Sequence, residues 1–121
     1  MSALEKQVNG DHYKTNYQVV ELVAELSLSY FDGNVIKYLT RHAAKNGVAD
    51  LDKAIHYLEL KRDLRVPTSG LGAGGVRLTK LFAKVNDLTP TEYLCMVSLF
   101  TDLPDKVIDN MAALKSSVYP A

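Results

Sequence analysis

FDGNVIKYLTRHAAKNGVADLDKAIHYLELKRDL, residues 31–64, decides the fold. Placed on a helix at about 100° per residue, Val35, Ile36, Leu39 and Ala43 share one side of its first half. Asn34, Lys37, Tyr38, Arg41 and Lys45 fall within roughly a third of the circumference on the opposite side. The Lys45–Asn46–Gly47 sequence is a helix stop. After it, Leu51, Ile55 and Leu58 define a second apolar face, while Asp50, Lys53, Tyr57 and Lys61 recur at i, i+3, i+7 and i+11 on another. The stretch therefore predicts two antiparallel amphipathic helices, the first from about Tyr30 or Asn34 to Lys45, the second from about Val48 to Val66-Pro67.

Working outward, Val19, Val20, Leu22, Val23 and Leu26 give a preceding helix its apolar face, closed by SLSYFDG. Residues 1–15 read as a polar, irregular arm with Asn9-Gly10 as a turn. Beyond the second helix, PTSGLGAGG (67–75) has the composition of a linker. Three shorter helices are expected over 76–86, 90–101 and 104–117, with Thr89-Pro90-Thr91-Glu92 at capping-box spacing and Asp102 before Pro104 as a second start signal. EYLCMVSLF (92–100) is apolar almost all round, as expected of a helix in a core or subunit interface. Hairpin dipeptides and alternating strand patterns are scarce. The expectation is an all-α single domain over 1–121, a small bundle of five to six helices. It comprises a three-helix unit over 11–65, a Gly-rich linker over 66–75 and a helical extension over 76–121.

Composition narrows the function. Fourteen Lys and Arg balance fourteen Asp and Glu, which disfavours general nucleic-acid binding, since that needs a basic surplus. The single cysteine, Cys95, lies in an apolar run and suits a packing role in a reducing compartment. The polar start of the chain and the absence of any membrane-length apolar run lead to the expectation of a soluble, cytoplasmic protein without membrane contact.

Against that neutral background, the polar stripe over 34–45 carries three cations, an amide and a phenol, but no carboxylate. Ordinary solvated faces mix signs, because i,i+4 acid–base pairs stabilise a helix by a few tenths of a kcal/mol, roughly 0.2–0.5 each. Lys37, Arg41 and Lys45 instead repel one another unless negative charge lies nearby. Two sources can supply it: acids of the next helix (Asp50, Asp52, Glu59, Asp63), or a phosphorylated ligand. In the second case Asn34 and Tyr38 could read or stack on a base or sugar, Lys53 and Tyr57 could close a shared groove, and Asp11-His12-Tyr13-Lys14 could cover it.

These residues also carry a resemblance. His12-Tyr13, Gly33-Asn34, Lys37-Tyr38, Arg41, Lys45, Asp50-Leu51, Lys53-Ala54 and Tyr57-Leu58 fit the pattern H-Y, G-N-x-x-K-Y-x-x-R, K, D-L-x-K-A-x-x-Y-L. It resembles a small phage domain catalogued as of unknown function, related to a phage nucleotide kinase that phosphorylates deoxynucleoside monophosphates, is oligomeric and lacks the usual kinase phosphate loop. The similarity covers residues 11–60 and implies nucleotide chemistry in the cytoplasm of an infected host cell, by a homo-oligomer, with ATP and magnesium if the chain is a kinase. On that reading Lys37, Arg41 and Lys45 neutralise phosphates, Asn34 and Tyr38 position the nucleoside, and Asp50 orients magnesium or the accepting oxygen. His12, Tyr13, Lys14, Lys53 and Tyr57 complete the ligand site. The alternative is an anti-defence protein that sequesters a nucleotide-derived immune signal without turning it over. A third reading pairs the stripe with acids of another subunit.

Other motifs carry less. Gly70 and Gly75 have G-x-x-x-x-G spacing, but Val76-Arg77 stands where a phosphate loop needs Lys then Ser or Thr, so the segment reads as a linker. His12, His42 and His56 lack metal-ligand spacing, and His42 reads as a packed or capping residue. Glu21, Glu25, Glu59 and Asp63 lack the doubled glutamate and closing E-x-x-D of helical pyrophosphatases of the MazG type. No resident metal site is expected.

Overall fold

Local chemistry sets where several of the helices begin. The computed structural model describes residues 17–120, over which the chain forms six α-helices and no strand. They are α1 (Val19–Leu26), α2 (Tyr30–Arg41), α3 (Val48–Asp63), α4 (Ala73–Val85), α5 (Pro90–Ser98) and α6 (Pro104–Val118), with a 3-10 turn, His42–Ala44, after α2. The Ser29 Oγ accepts the Asp32 N–H at 3.1 Å and caps α2. At α5 the Thr89 Oγ1 accepts the Glu92 N–H at 3.1 Å while Glu92 accepts the Thr89 N–H at 2.8 Å, with Pro90 in the first turn. Pro104 likewise opens α6, but the capping position is Leu103, so Asp102 does not serve as the start signal expected of it.

Several boundaries differ from the sequence reading, and α3 and α5 end at Asp63 and Ser98, short of the 66 and 101 expected. α2 ends at Arg41, four residues before Lys45, and the chain tightens through the 3-10 turn to Gly47. Gly47 has φ 59° and ψ −130°, a conformation open to glycine and strained for other residues, and the Tyr119 ring lies 3.6 Å from where its Cβ would be. The glycine-rich linker is also shorter than expected, because α4 starts at Ala73 and takes Gly74 and Gly75 into its first turn. Gly75 is buried, and a Cβ there would meet Leu71 at 3.0 Å and Leu26 at 3.4 Å. Its small size lets α4 approach α1.

α2 packs antiparallel along α3, and the other face of α3 lies against α6. α5 bridges α2 and α6, while α4 rests on α1 and α5. The core runs through both halves of the chain: Val35, Ile36 and Leu39 of α2 and Leu51, Ala54 and Leu58 of α3 are buried in one cluster with Phe82, Met96, Leu99, Val107 and Met111. Each Leu-sized side chain there contributes about 1.5–3 kcal/mol of burial. Within 92–100, Cys95, Met96, Ser98, Leu99 and Phe100 are buried, whereas Leu94 is exposed. Burial and the adjacent Glu92 push the Cys95 thiol up to about 11, which suits packing. Among the described residues no helix is long and apolar enough to cross a membrane.

Candidate functional site

The α2–α3 hairpin is fastened at both ends by ion pairs. Near the start of α2, Asp32 meets Lys61 at 2.9 Å, with both side chains at most 1 % exposed. At the end of α2, Arg41 forks onto Asp50 in the first turn of α3, with Nε–Oδ2 at 3.2 Å and Nη2–Oδ1 at 3.3 Å. Both carboxylates lie near helix N-termini and both cations near C-termini, so each charge also suits its own helix dipole. Burial pushes the Asp32 carboxyl above the ordinary carboxylate range, and the pull of Lys61 and Ser29 only partly offsets it. Its second oxygen, Oδ2, has no hydrogen-bond partner among the described residues.

Asp50 is in the opposite state. Burial opposes its charge, but the Arg41 fork and the backbone and side-chain N–H groups of Asn46 hold it below the ordinary range. Asn46 donates to Oδ2 at 3.3 Å and to Oδ1 at 3.5 Å, so with Arg41 about four acceptor positions of the carboxylate are engaged. Asp50, expected to orient magnesium or the accepting oxygen, is thus engaged by Arg41 and Asn46. Among the described residues no group of three His, Cys, Asp or Glu could hold a metal ion.

Between the ion pairs lies a tyrosine cluster. Tyr38 stacks on Tyr57 with ring centroids 6.0 Å apart and an interplanar angle of 18°. Tyr30 packs edge-on to Tyr57 at 5.8 Å, their hydroxyls 3.4 Å apart. That hydrogen bond, with burial and the neighbouring phenols, pushes Tyr57 up to about 12. Three cations surround the Tyr38 ring: Arg41 Cζ at 4.8 Å, Lys37 Nζ at 5.2 Å and Lys53 Nζ at 5.4 Å from its centroid. Tyr38 and Tyr57 are half-buried, so the cluster is partly open to solvent. The Asn34 amide turns back onto its own helix, donating one N–H to the Tyr30 carbonyl at 2.8 Å.

Among the described residues a hollow also borders the cationic stripe. α2 and α3 are in contact along their length, and the hollow forms on the other flank of α2, against the start of α1 and the end of α4. It measures about 240 Å³ and is lined by Lys37, Thr40, Arg41 and Lys45 on one side and by Gln18, Asn86 and Asp87 on the other. Lys53 and Tyr57 stand outside it, beside Tyr38. Lys61, read as sharing a face with Asp50, Lys53 and Tyr57, is buried against Asp32. His12, Tyr13 and Lys14, with Asp11, lie outside the described residues.

A third polar cluster ties the halves of the chain together. His42 is buried, with Nε2 bonded to the Glu92 carboxylate and Nδ1 2.8 Å from the Tyr119 hydroxyl. Burial opposes charge on Glu92, yet His42 and Thr89 outweigh it and hold Glu92 below its ordinary value. His42 is thus the packed residue that its place beside the apolar face suggested. Sequence reading missed Glu92 and Tyr119 as its partners, as it missed Tyr30 and the Asp32–Lys61 pair. The last had a usable signal: setting Arg41 opposite Asp50 in an antiparallel hairpin places Asp32 opposite Lys61.

Comparison with known families places part of this unit. A family model for proteins of unknown function (DUF3310) matches residues 8–59, a span that contains α1, α2, the 3-10 turn and most of α3. The chain is similar to that family over the segment that bears the cationic stripe. No curated protein and no solved structure matches the chain.

Proposed function

We propose that the protein binds a phosphorylated nucleoside on the α2 face, between the Tyr38 ring and the groove beside it. The observation that carries this is the convergence of Lys37, Arg41 and Lys53 on one half-buried tyrosine, with Lys37 and Arg41 also lining the adjacent hollow. Aromatic surface framed by cations suits a base or sugar joined to phosphate. Lys37, Lys45 and Lys53 act on the phosphates, while Arg41 shares its charge with Asp50 and serves as much to set the hairpin register.

The resemblance to a phage nucleotide kinase favours phosphoryl transfer to a nucleoside monophosphate, which depends mainly on positioning and charge neutralisation. One specific observation favours the rival. Asp50, the carboxylate paired with Arg41 among the described residues, is held by Arg41 and Asn46, which leaves it poorly placed to accept a proton or orient an ion. A homo-oligomeric phage protein that sequesters a nucleotide signal in the host cytoplasm needs only the binding surface.

Calorimetric titration with nucleoside monophosphates, followed by incubation with ATP and magnesium and chromatography of the products, separates the readings. Binding with diphosphate product that is lost in Arg41→Ala supports the kinase, and binding with ligand recovered unchanged supports sequestration. Absence of binding by every nucleotide sinks the proposal and leaves the stripe structural.

A further inference from the structure

Lys37 and Arg41 belong to two surfaces at once. On one flank of α2 they stand over Tyr38 with Lys53, and on the other they line the groove with Lys45. Lys53 stands over Tyr38 and is not part of the groove, while Lys45, past the end of α2, lines the groove and not the ring, so the cations are offered in two places. The groove, at about 240 Å³, is also small. Pockets that enclose a whole small ligand measure ~300–1,000 Å³, so this one suits part of a ligand.

We infer that the site takes a ligand with two phosphates separated by a nucleoside, a 5′-phosphorylated dinucleotide being the simplest. The inference rests on the nucleotide-binding reading of the same face. The terminal phosphate lies beside Tyr38, between Lys37 and Lys53. The internucleotide phosphate lies in the groove, between Lys37 and Lys45. The lining supports that order, because Asp87 places a carboxylate on the groove wall facing α2. One opposing negative charge disfavours a dianionic terminal phosphate more than a singly charged phosphodiester. Beside the Tyr38 ring the carboxylate at hand, Asp50, is already matched by the Arg41 fork, and among the described residues Lys37 and Lys53 add their charge there.

The test is calorimetry on the full chain with the four deoxynucleoside 5′-monophosphates and the matching 5′-phosphorylated homodinucleotides. The wild type should bind its preferred dinucleotide at least ~10-fold more tightly than the corresponding monophosphate, since a second charge-assisted contact is worth about 1.5–3 kcal/mol before ordering losses. Lys45→Ala should bring that ratio close to one, and Lys45→Arg should restore it. Lys53→Ala should weaken both ligands in parallel and keep the ratio. Equal wild-type affinities, or a Lys45→Ala variant that keeps the wild-type ratio, would overturn the inference while leaving monophosphate binding intact. Failure of every ligand to bind the wild type would overturn both this inference and the reading it rests on. Lys45 is exposed in the turn after α2, and unchanged thermal unfolding of its variants separates lost binding from lost folding.

Discussion

Replacing Lys61 by Met would leave Asp32 buried and alone, and the cost can be worked from the structure. The pair is 2.9 Å apart, with Lys61 1 % and Asp32 0 % exposed, and Asp32 Oδ2 already lacks a hydrogen-bond partner among the described residues. Breaking one side of such a pair costs about 3–5 kcal/mol, a large share of the ~5–15 kcal/mol that holds a domain folded. The cost should depend on pH. Burial already raises Asp32 above its ordinary 3.8, and loss of Lys61 removes the main opposing pull. The folded variant therefore binds a proton more readily than the unfolded chain, so its stability falls as pH rises from the unfolded value through the raised folded one. Lys61→Met should be several kcal/mol less stable than wild type in urea at pH 7, at an unchanged denaturant slope, and part of the deficit should return as pH is lowered toward 5. Asp32→Leu combined with Lys61→Met should recover most of the loss, since an apolar pair of similar volume carries no desolvation cost. A Lys61→Met deficit below about 1 kcal/mol, or one that grows on acidification, would refute this account of the hairpin's lower clasp.

The remaining predictions concern the joint between the two halves and the turn after α2. Glu92→Gln should lower stability at neutral pH through loss of the charged partner of His42, by about 1.5–3 kcal/mol. Because Glu92 lies below its ordinary 4.5 when folded, its contribution is complete above that pH and is lost as pH falls through the folded value. Urea midpoints of variant and wild type should therefore converge in acid. Tyr119→Phe removes the hydroxyl 2.8 Å from His42 Nδ1 and should cost about 1–3 kcal/mol in the same assay, with the helical circular-dichroism signal retained. Gly47→Ala should destabilise by more than about 1 kcal/mol, since its φ of 59° is strained for alanine. Native Cys95 should resist thiol reagents until the protein is unfolded, because it is buried and its thiol is held up to about 11.

The helices were largely legible because their signals are local. The apolar spacing of Val35, Ile36 and Leu39, the Thr89–Glu92 box and the prolines at 90 and 104 each act within a turn or two. The errors fell where packing decides. Gly74 and Gly75 have linker composition, but Gly75 provides the close approach that lets α4 start early against Leu26 and Leu71. The one-signed stripe was legible as an anomaly, and both sources of compensating charge remained open. Arg41 took the nearer one in Asp50, nine residues on. The hollow beside α2 was not legible, because it depends on the end of α4 arriving from a distant part of the chain to wall it against α1. The His42–Glu92 contact spans fifty residues and has no sequence period that would announce it.

Amide-resolved NMR during titration with deoxynucleoside monophosphates and their dinucleotides tests the central claim most directly. The account predicts saturable shifts centred on Lys37–Asn46 and on Lys53–Tyr57, with Gln18, Asn86 and Asp87 joining for the dinucleotide. Shifts confined to α5 and α6, or no shift at millimolar ligand, would contradict it.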